Sequence, residues 1–218
     1  TYMMAKSDSV QKLKKWLAEG EHLQQDFKFL VSDARKIART LCSFANSVGG
    51  RILIGVKDNG VVSGIRSDEE FYMIQTASSL FTSPPVPFQT QVFQVNGKQV
   101  LCVSVAASKQ RPHRFRNEEE KWLVYVRMAD RDVRADAVLI KTWALEKWPR
   151  GEVRKIGASE IQLLEFLKDN PYITLSKCRK VTGLNYRNSV ELLATLLRWN
   201  VIEAIPHLEG LAYRTNPN

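Results

Sequence analysis

Residues 44–60 read FANSVGGRILIGVKDNG. Four glycines, Gly49, Gly50, Gly55 and Gly60, bracket one apolar run. A Walker-type phosphate loop follows a strand, opens a helix and ends in Gly-Lys-Ser/Thr. Here the order is reversed. An apolar stripe at helical spacing (Ile37, Leu41, Phe44, Val48) runs into Gly49-Gly50, and the strand-like RILIGVK follows. A dinucleotide fingerprint fails on the same ground, since no helix N-terminus is offered to a pyrophosphate. ATP hydrolysis is therefore not expected. The glycines read instead as backbone devices. Gly49-Gly50 is a left-handed helix stop, Gly55 allows close packing in a strand, and Asn59-Gly60 is a hairpin turn with VVSGI (61–65) as the return strand.

Outward from this stretch, the helix over 33–48 can be capped by Ser32 or Asp33 and carries Arg35, Lys36 and Arg39 on its flanks. Before it, residues 9–18 place Val10, Leu13, Trp16 and Leu17 at helical spacing, with Gly20 as the stop. QQDFKFLV (24–31) alternates as a half-buried strand whose polar side carries Asp26 and Lys28. After the glycine stretch, Ser67–Glu70 is a capping box for a helix containing Phe71, Ile74 and Leu80, which SPPVP (83–87) ends. FQTQVFQV (88–95) and KQVLCVSVA (98–106) form a hairpin about Asn96-Gly97. The loop KQRPHRFRNEEE (109–120), a strand KWLVYVRM (121–128), a helix over 137–148 and a linker PRGE (149–152) follow.

The tail has a different rhythm. Helices over 158–169 and 174–181, a turn at Gly183, a third helix begun by Asn185 with Val190, Leu193, Ala194 and Leu197 inward, and a hairpin over 201–214 are in winged-helix order. The fold class expected is α+β, a mixed sheet with hairpins and packed helices over 8–148, followed by a small winged-helix domain over 156–218.

The 218 residues carry a net charge of +9, of which +7 falls on residues 1–150 and +2 after them. Such an excess suits polyanionic partners, DNA or RNA first, although a basic enzyme would share it. No apolar run approaches the roughly 20 residues of a membrane span, and the N-terminal stretch has no signal-peptide apolar block. Cys42, Cys102 and Cys178 stand far apart without Cys-x-x-Cys pairing, so a reduced, cytoplasmic setting is expected and each reads as a small core residue.

The linked motifs EHLQQDFK (21–28), a helix ending FANSVGG, RILIGVKDNGVVSG (51–64), Arg-Pro-His at 111–113 and Tyr-Val-Arg at 125–127 resemble the Schlafen-type AlbA-like domain over roughly residues 15–135. Bacterial members are described as DNA-binding or divergent ATP-binding proteins, and such proteins commonly append helix–turn–helix modules. The resemblance implies either nucleic-acid binding on a basic α+β surface or, as in Schlafen relatives, RNA cleavage by three acids and a divalent metal. Those acids correspond to Glu21, Asp26 and Asp58, which would hold Mg²⁺ or Mn²⁺ as hard oxygen ligands. The family carries Glu where this chain has Asp26, one methylene shorter. Along one continuous strand Glu21 and Asp26 would face opposite ways, so convergence requires a bend near residues 22–24. Without a metal, the same three acids read as a loop acid, a strand acid and the residue a DNG turn favours.

The expected nucleic-acid contacts are Lys28, Arg35, Arg39, Lys109, Arg111, His113, Arg114, Arg116, Arg127 and Arg131, with Phe115 and Arg134 nearby. Glu118, Glu119 and Glu120 balance that loop locally, and His113 beside Pro112 can equally serve to fix it. In the tail, Tyr186, Arg187 and Asn188 open the would-be recognition helix, where Arg and Asn can read base edges. Winged helices also serve as docking modules, so a homo-oligomer is a further reading of this segment. Together these features favour a DNA-binding transcriptional regulator, with a metal-dependent endoribonuclease acting on structured RNA as the alternative.

Overall fold

In the computed structural model, residues 2–65, 67–149, 157–208 and 210–217 are described, with side chains of the first helix from Ser9 onward. The chain divides into two compact units, Thr1–Asp132 and Val133–Asn218.

The first unit is organised by the two strands on either side of the quoted helix. Helix α1 (Tyr2–Glu19) ends at Gly20, strand β1 (Gln25–Lys28) follows, helix α2 (Ala34–Asn46) crosses over, and strand β2 (Gly50–Ile54) returns parallel to β1. Asp33 caps α2 by accepting from the Arg35 amide. The helix stops two residues earlier than the apolar stripe suggests. The Gly49 amide folds back onto the Phe44 carbonyl at 3.0 Å with Gly49 at φ +78°. A Cβ at Gly49 would lie 2.7 Å from the Val105 carbonyl oxygen. Val48 therefore falls outside the stripe and is exposed.

Helix α3 (Glu69–Phe81) and the short strand β3 (Thr82–Ser83) precede the hairpin of β4 (Gln89–Val95) and β5 (Lys98–Val105). The main sheet has the order β1-β2-β5-β4, with β5 antiparallel to β2. The expected return strand at 61–65 is reduced to one Val56–Val62 bridge, because β1 and β5 already occupy both edges of β2. The DNG turn is retained: the Gly60 amide bonds the Lys57 carbonyl and the Lys57 amide bonds Val61. Gly55, at φ +90°, lies so close to Gly64 that a Cβ would meet its carbonyl carbon at 2.7 Å.

Alternation along β2 assigns its side chains to two cores. Ile52 and Ile54 join Ile37, Leu41 and Phe44 of α2, while Leu53 joins Phe27, Phe93 and Leu13 on the α1 side. Each fully buried Leu, Ile or Phe here contributes about 1.5–3 kcal/mol. Phe29 lies beyond β1 and is exposed, whereas Asp26, expected on a polar face, is buried. The loop at 109–120 contains strand β6 (Arg114–Arg116), which pairs with β3 and with β7 (Trp122–Leu123). The expected strand at 121–128 is thus split into β7 and β8 (Tyr125–Met128). Strand β9 (Arg131–Arg134) pairs with β8, and the boundary between the units falls within it.

In the second unit, helix α4 (Ala137–Glu146) packs on α7 (Tyr186–Arg198), buries Val138 and Trp143, and pairs Lys141 with Glu191 at 2.8 Å. The sequence reading assigned this helix to the first domain; its packing partner lies in the second unit. Helices α5 (Ala158–Asp169) and α6 (Leu175–Thr182) complete the helical set, with Gly183 left-handed between α6 and α7. Strands β10 (Ile202–His207) and β11 (Gly210–Thr215) form the terminal hairpin, to which Ile173 adds a bridge at Tyr213. The fully buried Tyr213 donates its hydroxyl to Asp136 at 2.7 Å. Most of the expected linker, residues 150–152, lies outside the described residues.

Candidate nucleic-acid interface and acidic cleft

The C-terminal end of β1, the start of α2, the DNG turn and the β8–β9 turn enclose a cleft of about 590 Å³. Glu21, Asp26 and Asp58 all line it, together with Lys28, Arg39, Arg127 and Asp132. The bend required between Glu21 and Asp26 is present. His22 and Gln25 exchange backbone hydrogen bonds at 3.0 and 3.1 Å, and Glu21 Oε1 accepts from the Phe27 amide at 2.9 Å. Burial, with a smaller contribution from the Asp26 charge, pushes the Glu21 carboxyl above its ordinary value, while the Phe27 amide and Lys28 oppose that rise.

Cations of the chain itself occupy the buried carboxylates. Lys28 Nζ lies 2.6 Å from Asp26 Oδ2, and Arg127 Nη2 lies 3.1 Å from Asp26 Oδ1. Arg127 Nη1 lies 3.1 Å from Asp132 Oδ1, whose carboxylate also accepts from Ser43 at 2.5 Å and Thr40 at 3.1 Å. Among the described residues, no group of three or more His, Cys, Asp or Glu side chains is placed to hold a metal ion. Of the three expected ligands, Asp26 is the one paired here with a guanidinium and an ammonium of the chain itself.

Two residues expected to contact nucleic acid are buried instead. The Arg127 side chain is 2% exposed, spans two carboxylates, bonds the Gln25 carbonyl and lies over the Phe44 ring. It holds β8 to β1 and presents no surface to a phosphate. His113 is buried, with Nδ1 2.8 Å from the Pro84 carbonyl oxygen and Nε2 2.7 Å from Ser108 Oγ. Asn46, within the FANSVGG stretch, explains this. Its Oδ1 accepts from the His113 amide, and its Nδ2 donates to the His113 and Tyr125 carbonyls. Asn46 thus stitches the Arg-Pro-His and Tyr-Val-Arg segments to α2. No local signal singles it out, because its partners lie 67 and 79 residues further along the chain.

The remaining expected cations are distributed over the surface of the first unit. Lys28 and Arg39 border the cleft, Arg39 3.5 Å from Asp132 and over the Tyr125 ring. Arg131 is 81% exposed beside Asp130. Lys109 and Arg114 are exposed, and Arg111 is half-buried. Arg35 and Arg116 converge on Glu120. Trp122, not anticipated as a surface residue, is 45% exposed and stands opposite Arg116 in the β6–β7 register. Its signal was the W-L-V alternation, but without the partner strand the outward face was undecided. In the second unit, Tyr186, Arg187 and Asn188 are all exposed in the first turn of α7, which Asn185 caps through the Asn188 amide.

The family model described as Schlafen, AlbA_2 matches residues 21–136. No curated protein matches the chain. Among solved structures, the DIP2311 protein from Corynebacterium diphtheriae is similar at 17% identity and TM-score 0.46, over 70% of this chain and 34% of that one. The N-terminal domain of a protein from Nitrosomonas europaea, described as related to the ATP-dependent DNA helicase RecG, is similar at 20% identity and TM-score 0.32, over 44% of this chain and 70% of that domain. The chain thus spans about a third of the DIP2311 protein. Among the described residues, no helix is long and apolar enough to cross a membrane.

Proposed function

The chain belongs to the Schlafen, AlbA_2 family, and on that premise we propose that it binds DNA and regulates transcription. The observation that carries this reading is the exposed first turn of α7. Tyr186, Arg187 and Asn188 project there from a helix–turn–helix that a β-hairpin follows, the order of a winged helix. The bridge from Ile173 to Tyr213 fits the same module, adding a strand residue to the hairpin ahead of the helix–turn–helix. The net charge of +9 is shared by both units, +5 over residues 1–132 and +4 over 133–218, and the exposed Lys109, Arg114 and Arg131 support a phosphate-holding role for the first. In this reading, the first unit grips the backbone without sequence preference and α7 reads base edges.

The test is selection of duplexes from a random pool, followed by salt titrations. Arg187→Ala lowers affinity for selected sites by about 10- to 100-fold and leaves random duplex nearly unchanged. Lys109→Ala with Arg114→Ala weakens every duplex alike and flattens the salt dependence by about one unit per lost phosphate contact. If neither change alters duplex binding at low salt, the reading fails.

The endoribonuclease alternative retains one observation in its favour, the shared cleft of Glu21, Asp26 and Asp58. Cleavage of a structured RNA in Mn²⁺ that Asp58→Asn abolishes would establish it. Uncut RNA, or equal cutting by both proteins, would end it.

A further inference from the structure

We infer that Arg35 and Arg116 form a phosphate clamp that the chain's own Glu120 fills when no nucleic acid is bound. The inference rests on the nucleic-acid reading above and adds a specific site and a competitor to it. Arg35 is the second residue of α2, and Arg116 closes β6, which packs on that helix. Their guanidinium groups approach one carboxylate from two directions. Arg35 Nη2 reaches Oε1 at 2.6 Å, and Arg116 Nη2 reaches Oε2. Two forked donors converging on two oxygens of one anionic centre is the arrangement that also recognises a phosphodiester.

The turn that carries Glu120 supports this assignment. The Asn117 amide bonds the Lys121 carbonyl, the Glu120 amide bonds the Asn117 carbonyl, and Asn117 Oδ1 accepts from the Lys121 amide. Glu120 occupies the left-handed position of that turn at φ +61°, where glycine or asparagine is the undemanding choice. A glutamate there trades backbone ease for the reach of its side chain. Arg35 is oriented independently of Glu120, because its guanidinium stacks over Phe81 at 4.9 Å. The Glu120 side chain is 47% exposed, so its ion pairs are solvated and readily exchanged. Arg114, two residues before Arg116 on the same face of β6, is exposed, and Trp122 is paired opposite Arg116. A strand of nucleic acid with one phosphate in the clamp therefore finds a further cation and an aromatic stacking surface beside it.

The test measures fluorescence anisotropy of a labelled DNA duplex against salt concentration, with the full chain. Glu120→Gln is expected to add one phosphate contact. The slope of log K against log salt steepens by about 0.9, and binding at 0.1 M salt tightens about eightfold. Glu120→Ala, which leaves no side-chain oxygen to hold the two arginines, gives at least the same gain. Adding Arg35→Gln and Arg116→Gln to Glu120→Gln removes both gains. A second arm titrates inorganic phosphate and follows the arginine Nε resonances by NMR. In Glu120→Gln the Arg35 and Arg116 signals move at lower phosphate than in the unmodified chain. Unmodified chain that binds DNA, with Glu120 variants of unchanged affinity and slope, overturns the clamp. Phosphate responses without any DNA binding uphold the clamp and refute the nucleic-acid reading. Absence of both responses in the Glu120 variants overturns the clamp.

Discussion

Replacing Arg127 by methionine removes the charge that joins three segments of the first unit while keeping most of the side-chain volume. The guanidinium is 2% exposed and contacts Asp26 at 3.1 Å, Asp132 at 3.1 Å and the Gln25 carbonyl at 3.2 Å. Removing one partner of a buried ion pair costs about 3–5 kcal/mol, because the other charge is left uncompensated. Here the lower end is expected. Asp26 retains Lys28 at 2.6 Å, and Asp132 retains Ser43, Thr40 and the more distant Arg39. A loss of about 3 kcal/mol corresponds to a fall in Tm on the order of 10 °C for a unit of this size. Urea unfolding followed by circular dichroism measures it directly. Asp26→Asn in the same chain recovers part of the loss, since one stranded charge is gone. At a temperature where the variant is folded, its affinity for duplex and its salt slope stay at the unmodified values, because Arg127 faces no solvent. A stability loss below about 1 kcal/mol, or a salt slope flattened by about 0.9 in folded protein, would refute the assignment of Arg127 as scaffold.

Other outcomes follow from the same geometry. Because folding raises the Glu21 pKa above its ordinary value near 4.5, the protonated carboxyl is the form the fold favours. Its contribution is complete below that value and is lost as pH rises through the folded-state pKa. Glu21→Gln, which can still accept from the Phe27 amide, is therefore more stable than the unmodified chain at pH 7. The gap closes toward pH 4, and a pH-independent gap in urea midpoints would contradict this. Gly55→Ala places a methyl 2.7 Å from the Gly64 carbonyl carbon at φ +90° and costs roughly 1–3 kcal/mol or more, read as a shifted urea midpoint. All three cysteines are buried, and burial pushes Cys178 up to about 11 and Cys42 higher still. Iodoacetamide at pH 8 thus leaves the native protein unmodified and labels all three thiols in urea; rapid labelling of the native chain would show that the core opens.

The order of elements was legible because it depends on neighbours a few residues apart. The α2 stripe, the Asp33 cap, the Gly49 stop, the Asn96-Gly97 turn and the three helices and hairpin of the tail all rest on local periodicity and turn chemistry. The bend at residues 22–25 was stated in the sequence reading only as a condition for Glu21 and Asp26 to face one site; the structure has it, and Glu21, Asp26 and Asp58 line one cleft. What the sequence did not disclose was the occupancy of each charge. Whether a basic residue is free to hold a phosphate depends on carboxylates far away in the chain, such as Asp26 for Arg127 and Glu120 for Arg35. A strand's second edge is likewise decided only when the sheet assembles, which reduced the strand expected at 61–65 to a single bridge and split the strand at 121–128. Arg127 and His113 were expected among the nucleic-acid contacts, and nothing in its neighbours marked Asn46. Only the tertiary structure, by withdrawing them from water and supplying partners from other segments, made them the stitching of the first unit.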